Sequence, residues 1–169
     1  MKAMQNYNVK KTSTDKKSIQ HLKGKWIVAE IKVSYSALIT EHVIINSSIH
    51  AYNLIIKLWD KEEILLQEQF AALFFNQNKK MIGWQVLSTG TMTKCIVDIK
   101  LLASLALHTM ATQVIIAHNH PSGNLTASNC DKNLTGTVKE ALKLIDVTLL
   151  DHLIITKSGY LSFKDDGLM

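Results

Sequence analysis

The sequence predicts an α/β fold, a single mixed-sheet domain flanked by helices, and three observations carry that prediction. Short apolar runs rich in β-branched and aromatic residues, such as those within 68–77 and 113–117, are bounded by polar turn residues, which is the pattern of strands. Between them lie stretches whose apolar residues recur every three or four positions, the pattern of amphipathic helices. Helix-like and strand-like stretches then alternate through the second half of the chain, as they do when helices cover a sheet. At 169 residues and 47% hydrophobic content one core accounts for the chain, and no linker divides residues 26–169.

Residues 1–25 read as a flexible leader. They hold seven lysines against Asp15, a balance of +6, whereas the remaining twelve lysines face thirteen acids, a balance of −1. The net charge of +5 is therefore a property of the tail. Such a segment offers weak nonspecific contact to nucleic-acid phosphates. The chain has no arginine, the residue best suited to bidentate reading of guanine, so a sequence-specific DNA reader is poorly supported. No apolar run reaches the 18 or more residues of a membrane span, and no secretory h-region opens the chain. No membrane role and a cytoplasmic location are the expectations, with Cys95 and Cys130 as free thiols.

Residues 26–36 alternate apolar and polar positions and read as a half-buried edge strand. After the short apolar run 43–46, Ser47 or Ser48 can cap a helix with Ile49, Tyr52, Ile56 and Trp59 on its buried stripe. His42 and His50 have no partners at metal spacing and are read as surface or interface residues. Residues 68–77 and 81–87 form two strands joined by a tight turn at Asn78, Lys79 and Lys80. Glu68, Phe70, Ala72 and Phe74 share one face of the first strand. A carboxylate heading an apolar row is either a solvated strand end or a group placed beside the core, and Glu62 and Glu63 compete with Glu68 for the second role.

Asp98 opens the next helix, with Ile99, Leu102, Ala103, Ala106 and Met110 at helical intervals, and 113–117 is the strand it feeds. A further helix follows Asp131 and carries Leu134, Val138, Ala141, Leu142 and Ile145. Residues 147–156 and 160–163 close the chain as two strands. Asp151 and His152 are neighbours on the first of these, so they point to opposite faces and cannot easily converge. A structural or supporting role follows, with Asp151 expected to bond the loop after residue 120.

Chemistry gathers between residues 116 and 131. His118 and His120 lie two apart at the end of an apolar strand and can reach one ion, while Asn119 faces away. Pro121, Ser122, Gly123 and Asn124 are turn residues, able to bring a third group within about 2 Å of that ion, and Asp131 is the candidate. Three protein ligands and one open position describe a catalytic zinc (Zn2+) rather than a structural one. The competing reading is plain: a polar strand end, followed by Ser128 and Asp131 as the capping box of a helix.

The pattern His118-x-His120, seven residues, Ser128, two residues, Asp131 resembles the JAMM (JAB1/MPN/Mov34) metalloprotease motif. His118 to Gly123 looks like the RadC-type branch of that family. The likeness runs from about Ile45 to the C-terminus through Glu68-x-Phe70, Ser88-x-Gly90, Asp151-His152 and Tyr160-x-Ser162-Phe163. It implies a JAB1/MPN domain of cytidine deaminase-like type, in which His118, His120 and Asp131 bind zinc. It further implies that Ser128 stabilises the oxyanion and Glu68 is the general base. Asn119, Ser122 and Asp151 are then supporting residues around that set.

The implied activity is zinc-dependent hydrolysis of peptide or isopeptide bonds in an unknown protein or peptide substrate, under a family label of DNA repair. The alternative is a non-catalytic binding or scaffold module in DNA-repair or mobile-element complexes. Neither the substrate nor the oligomeric state is spelled by these residues. His-Glu-x-x-His is absent, and so are the His-x-Glu and Pro-Cys-x-x-Cys of zinc deaminases, since Asn119 separates the histidines and Cys130 stands alone. Two departures from the family pattern stand out. The leader is too short and polar for the helix-hairpin-helix region that full-length RadC-type chains carry, and Ala127 replaces the usual proline before the motif serine.

Overall fold

The computed structural model describes residues 43–60, 62–90 and 97–169. The lysine-rich leader, the strand expected at 26–36, His42 and Cys95 lie outside them. The described elements run α1 (Ser48–Leu58), a short 3-10 turn (Glu63–Leu65), β1 (Gln69–Phe75), β2 (Met81–Thr89), α2 (Ile99–His108), β3 (Gln113–Asn119), α3 (Asn129–Lys143), β4 (Thr148–Ile155) and β5 (Tyr160–Ser162). The strands form one mixed sheet in the order β2-β1-β3-β4-β5. β3 and β4 pair parallel, with α3 as the crossover between them, and the other pairs are antiparallel. No helix among the described residues is long and apolar enough to cross a membrane.

All seven residues of β1 are buried because both faces of the sheet are covered. On one face Ala71, Leu73, Phe75, Ile115, Ala117, Leu153 and Ile155 pack against α1 through Ala51, Ile55 and Trp59. On the other, Phe70, Ala72, Phe74, Val114 and Ile116 meet Leu102 and Ala106 of α2 and Val138 and Leu142 of α3. Full burial of a side chain such as Ile55 or Leu142 contributes about 2 kcal/mol.

Several element details differ from expectation for identifiable reasons. α1 is capped by Ser47, whose hydroxyl accepts from the His50 N–H, but its buried row is Ala51, Ile55 and Trp59. Ile49, expected inside, is 45% exposed. α2 is capped by Asp98, which accepts from the N–H groups of Lys100 and Leu101, and it ends before Met110. Met110 takes a positive φ of 53° that turns it outward, to 81% exposure. β1 stops at Phe75 because the Asn76 side chain accepts from the N–H groups of Asn78 and Lys80 and closes the turn itself. β2 runs past Leu87, since Ser88 and Thr89 still pair with Phe70 and Gln69.

Asp151 makes its bonds away from the loop it was expected to hold. It sits on the α1 face of β4, where its carboxylate accepts from the Ser162 hydroxyl (2.6 Å) and from the N–H groups of Lys164 (3.0 Å) and His152 (2.8 Å). It therefore ties the chain after β5 back onto β4. Burial pushes its carboxyl above the usual range, against the lowering effect of those three donors.

A raised folded pKa means that the favourable contribution is complete below the unfolded value of about 3.8 and is lost as pH rises through the folded value. Asp151→Asn keeps an acceptor for the two main-chain donors and removes this loss. Its stability relative to the native chain is expected to rise with pH across that interval in denaturant titrations. Asp151→Ala, which strands two buried donors and one part-buried donor, is expected to destabilise the chain by about 3 kcal/mol at neutral pH.

Candidate metal centre

The site forms at the C-terminal end of β3. His118 lies on the face shared by α2 and α3, opposite Phe70 of β1, and is 2% exposed. His120 follows the strand end, where its main-chain N–H donates to the Ile155 carbonyl (2.9 Å). The Gly123 N–H then bonds the His120 carbonyl (3.0 Å), closing a turn with Pro121 in its second position and Gly123 at a φ of 79°. That turn brings the Asn124 carbonyl to 2.7 Å from His120 Nδ1.

Asp131 arrives from α3. Ser128 is the helix cap: its hydroxyl accepts from the Asp131 N–H (3.1 Å), and the Asp131 carboxylate accepts from the Ser128 N–H (2.7 Å). The helix cap and the convergence of Asp131 on the two histidines, posed as competing readings of the sequence, occur in one structure. The capping box fixes the carboxylate so that Oδ1 lies 3.3 Å from His118 Nε2 and Oδ2 lies 3.9 Å from His120 Nε2. The two Nε2 atoms are 3.0 Å apart.

The donor chemistry fits a divalent ion. A carbonyl only accepts, so His120 Nδ1 carries a proton toward Asn124, and a ring with that one proton presents Nε2 as a bare lone pair. The donor atoms of His118, His120 and Asp131 lie within 4.8 Å of one another. Burial pushes the Asp131 carboxyl up, but the adjacent His118 imidazole and the hydrogen bonds from Ser128 outweigh that and hold it well below the usual carboxylate range. The carboxylate is thus ionised and available.

A groove of about 750 Å³ opens over these atoms. Glu68 and Ser128 both line it, together with apolar Phe70, Val97 and Leu134. Glu68 immediately precedes β1, and Asn119 controls its position from the opposite face of the sheet. The fully buried Asn119 amide donates to the carbonyls of Ile64 (2.8 Å) and Gln67 (2.7 Å), and its oxygen accepts from the Gln69 N–H (2.7 Å). Glu68 is thereby gripped on both sides by the residue between the two histidines. Ser122 is exposed and only accepts a long bond from the Asn124 N–H (3.4 Å) within the turn. Cys130 is an exposed free thiol on the groove wall.

A further neighbour of the site was read in the sequence only as a structural or supporting residue, without a partner. His152 of β4 is fully buried, and its Nε2 lies 2.8 Å from His118 Nδ1. Its Nδ1 lies 2.6 Å from the Thr135 hydroxyl. Burial, then the neighbouring His118 and His120 imidazoles, push this imidazole well below its ordinary range, against the raising effect of Asp131. It is neutral at physiological pH. The parallel register Ile116↔His152 is what delivers it to the His118 face, and that pairing is invisible in a linear reading.

A model of the RadC-like JAB domain matches residues 44–168 of the chain. Among curated proteins, the chain is 45% identical over 104 residues to a UPF0758 protein of Flavobacterium johnsoniae, covering 62% of this chain and 45% of that protein. A UPF0758 protein of Acidovorax sp. (strain JS42) is 41% identical over 102 residues, covering 60% of this chain and 43% of its own length. One from Ralstonia nicotianae is 40% identical over 103 residues, with shares of 61% and 46%. The matched region thus spans less than half the length of these relatives.

Replacing Asn119 by leucine conserves approximate volume and leaves three buried main-chain groups unpaired. The expected loss is about 3 kcal/mol in denaturant unfolding, with protection of the Gln69 amide against hydrogen exchange falling first.

Proposed function

Because the chain belongs to the RadC-like JAB domain family, we propose that it is a zinc-dependent hydrolase of amide bonds, peptide or isopeptide, acting in the groove over His118, His120 and Asp131. The observation that carries this reading is the convergence of two imidazole nitrogens and an ionised carboxylate on one point, inside a groove whose wall also holds a carboxylate and a hydroxyl. His118, His120 and Asp131 would hold the ion. When bound, zinc supplies Lewis acidity toward a carbonyl and brings the pKa of a water down to roughly 7.

The chain's own groups do the rest. The Glu68 carboxylate takes a proton from the attacking water and returns it to the leaving nitrogen, with its reach set by the Asn119 grip on Gln67 and Gln69. Ser128 uses its hydroxyl oxygen to accept from the Asp131 N–H, which leaves the hydroxyl proton for donation. It donates that proton to the carbonyl oxygen as negative charge develops, an interaction worth about 3 kcal/mol in comparable acyl-transfer sites. Phe70, Val97 and Leu134 supply the apolar wall that limits water around the reacting carbonyl.

Elemental analysis of purified protein is expected to give one equivalent of zinc, lost on His118→Ala or Asp131→Ala. Full metal retention in either variant removes the proposed ligand set. Glu68→Gln is expected to keep the metal and to lower kcat at least 100-fold on a peptide and isopeptide library. Equal turnover by Glu68→Gln and the native chain would remove Glu68 as the base.

A further inference from the structure

Thr135 connects the two sides of the metal centre through a circuit of hydrogen bonds that runs from Asp131 to His118. Its hydroxyl lies 2.6 Å from the Asp131 carbonyl oxygen and 2.6 Å from His152 Nδ1. A carbonyl oxygen has no proton to give, so the hydroxyl proton goes to it. The second contact then closes only when His152 Nδ1–H donates to the threonine oxygen. His152 is fully buried between the ring of Phe163, stacked at 4.5 Å, and the edge of Phe70 at 6.1 Å. A second proton there would place a cation in an apolar wall with no carboxylate bonded to the ring.

With Nδ1 protonated and the ring neutral, His152 Nε2 is an acceptor, and the group facing it at 2.8 Å is His118 Nδ1. His118 therefore donates from Nδ1, and in its neutral ring Nε2 is bare and directed at His120 Nε2 and Asp131 Oδ1. The direction of every proton in the circuit is dictated by the main-chain carbonyl at its far end. That carbonyl belongs to Asp131, so the circuit starts on one ligand and ends on another.

Resting on the metal-centre reading, we propose that His152 and Thr135 are positioning residues. They set the tautomer of His118 and lock its ring to the helix turn that carries Asp131, preassembling the donor set before metal arrives. Ligating histidines generally depend on the partner of their second nitrogen, and loss of such a partner costs 10- to 100-fold in metal affinity.

The test begins with metal-free protein labelled with 15N-histidine, studied by long-range 1H–15N spectroscopy at about pH 8, above the ordinary imidazole range. His118 and His152 are both expected as Nδ1–H tautomers. Thr135→Val, which preserves shape and removes the hydroxyl, is expected to abolish that preference at His152 and to weaken zinc binding 10- to 100-fold in chelator competition. Thr135→Ser is expected to restore both.

An Nε2–H tautomer at His118 in the native chain overturns the proposal, as does a Thr135→Val zinc Kd within twofold of native. Should Thr135→Val fail to fold, the native tautomers decide alone. The two readings fail separately: zinc retained by His118→Ala contradicts the metal centre, whereas the tautomers are read with no metal present.

Discussion

The controlling constraint on this structure is the mutual repulsion of electron pairs. Two imidazole nitrogens stand 3.0 Å apart and a carboxylate oxygen stands 3.3 Å from one of them, all turned inward. Nothing about three such groups favours their approach until a cation or shared proton sits among them. The surroundings must therefore hold each against drifting away. His118 is held by burial in the sheet and by His152, His120 by the Asn124 and Ile155 carbonyls, and Asp131 by the capping box of α3.

Topology explains why these anchors are available at one place. At β3 the sheet changes from an antiparallel neighbour, β1, to a parallel one, β4, and α3 must begin near the β3 C-terminus to make the crossover. In α/β sheets such a change in strand direction leaves a crevice at the strand ends. Here one side of it receives the start of β1 with Glu68, and the other receives the first turn of α3 with Ser128 and Asp131. The helix N-terminus also favours the ionised form of Asp131, in line with its depressed carboxyl.

The parts of this arrangement legible in the sequence were those governed by local rules. Alternation along a strand placed His118 and His120 together, turn residues implied the reversal after Pro121, and the Ser128 and Asp131 spacing gave the start of α3. What depended on strand register was hidden. His152 reaches His118 only through parallel pairing between segments 34 residues apart, and Asp151 consequently faces the opposite layer. The α1 face was read only in part for a related reason: Trp59 is buried and Tyr52 and Ile56 pack against the core as expected, but only the sheet beneath selects Ala51 and Ile55 over Ile49. Asn119 was expected to face away from the two imidazoles and lies on the other side of the sheet from His118, but its grip on Gln67 and Gln69 requires knowing which segment lies across the sheet.

The turn that follows His120 touches the imidazole through a main-chain carbonyl, that of residue 124, which every amino acid possesses. The side chains of Ser122, Asn124 and Thr126 line the groove without bonding the donor set. Side chains along most of this rim can thus change while the donor geometry stays fixed, with Gly123 as the exception because of its positive φ. The same freedom makes residues 122, 124 and 126 the natural positions to randomise when reshaping the groove without disturbing the donor atoms.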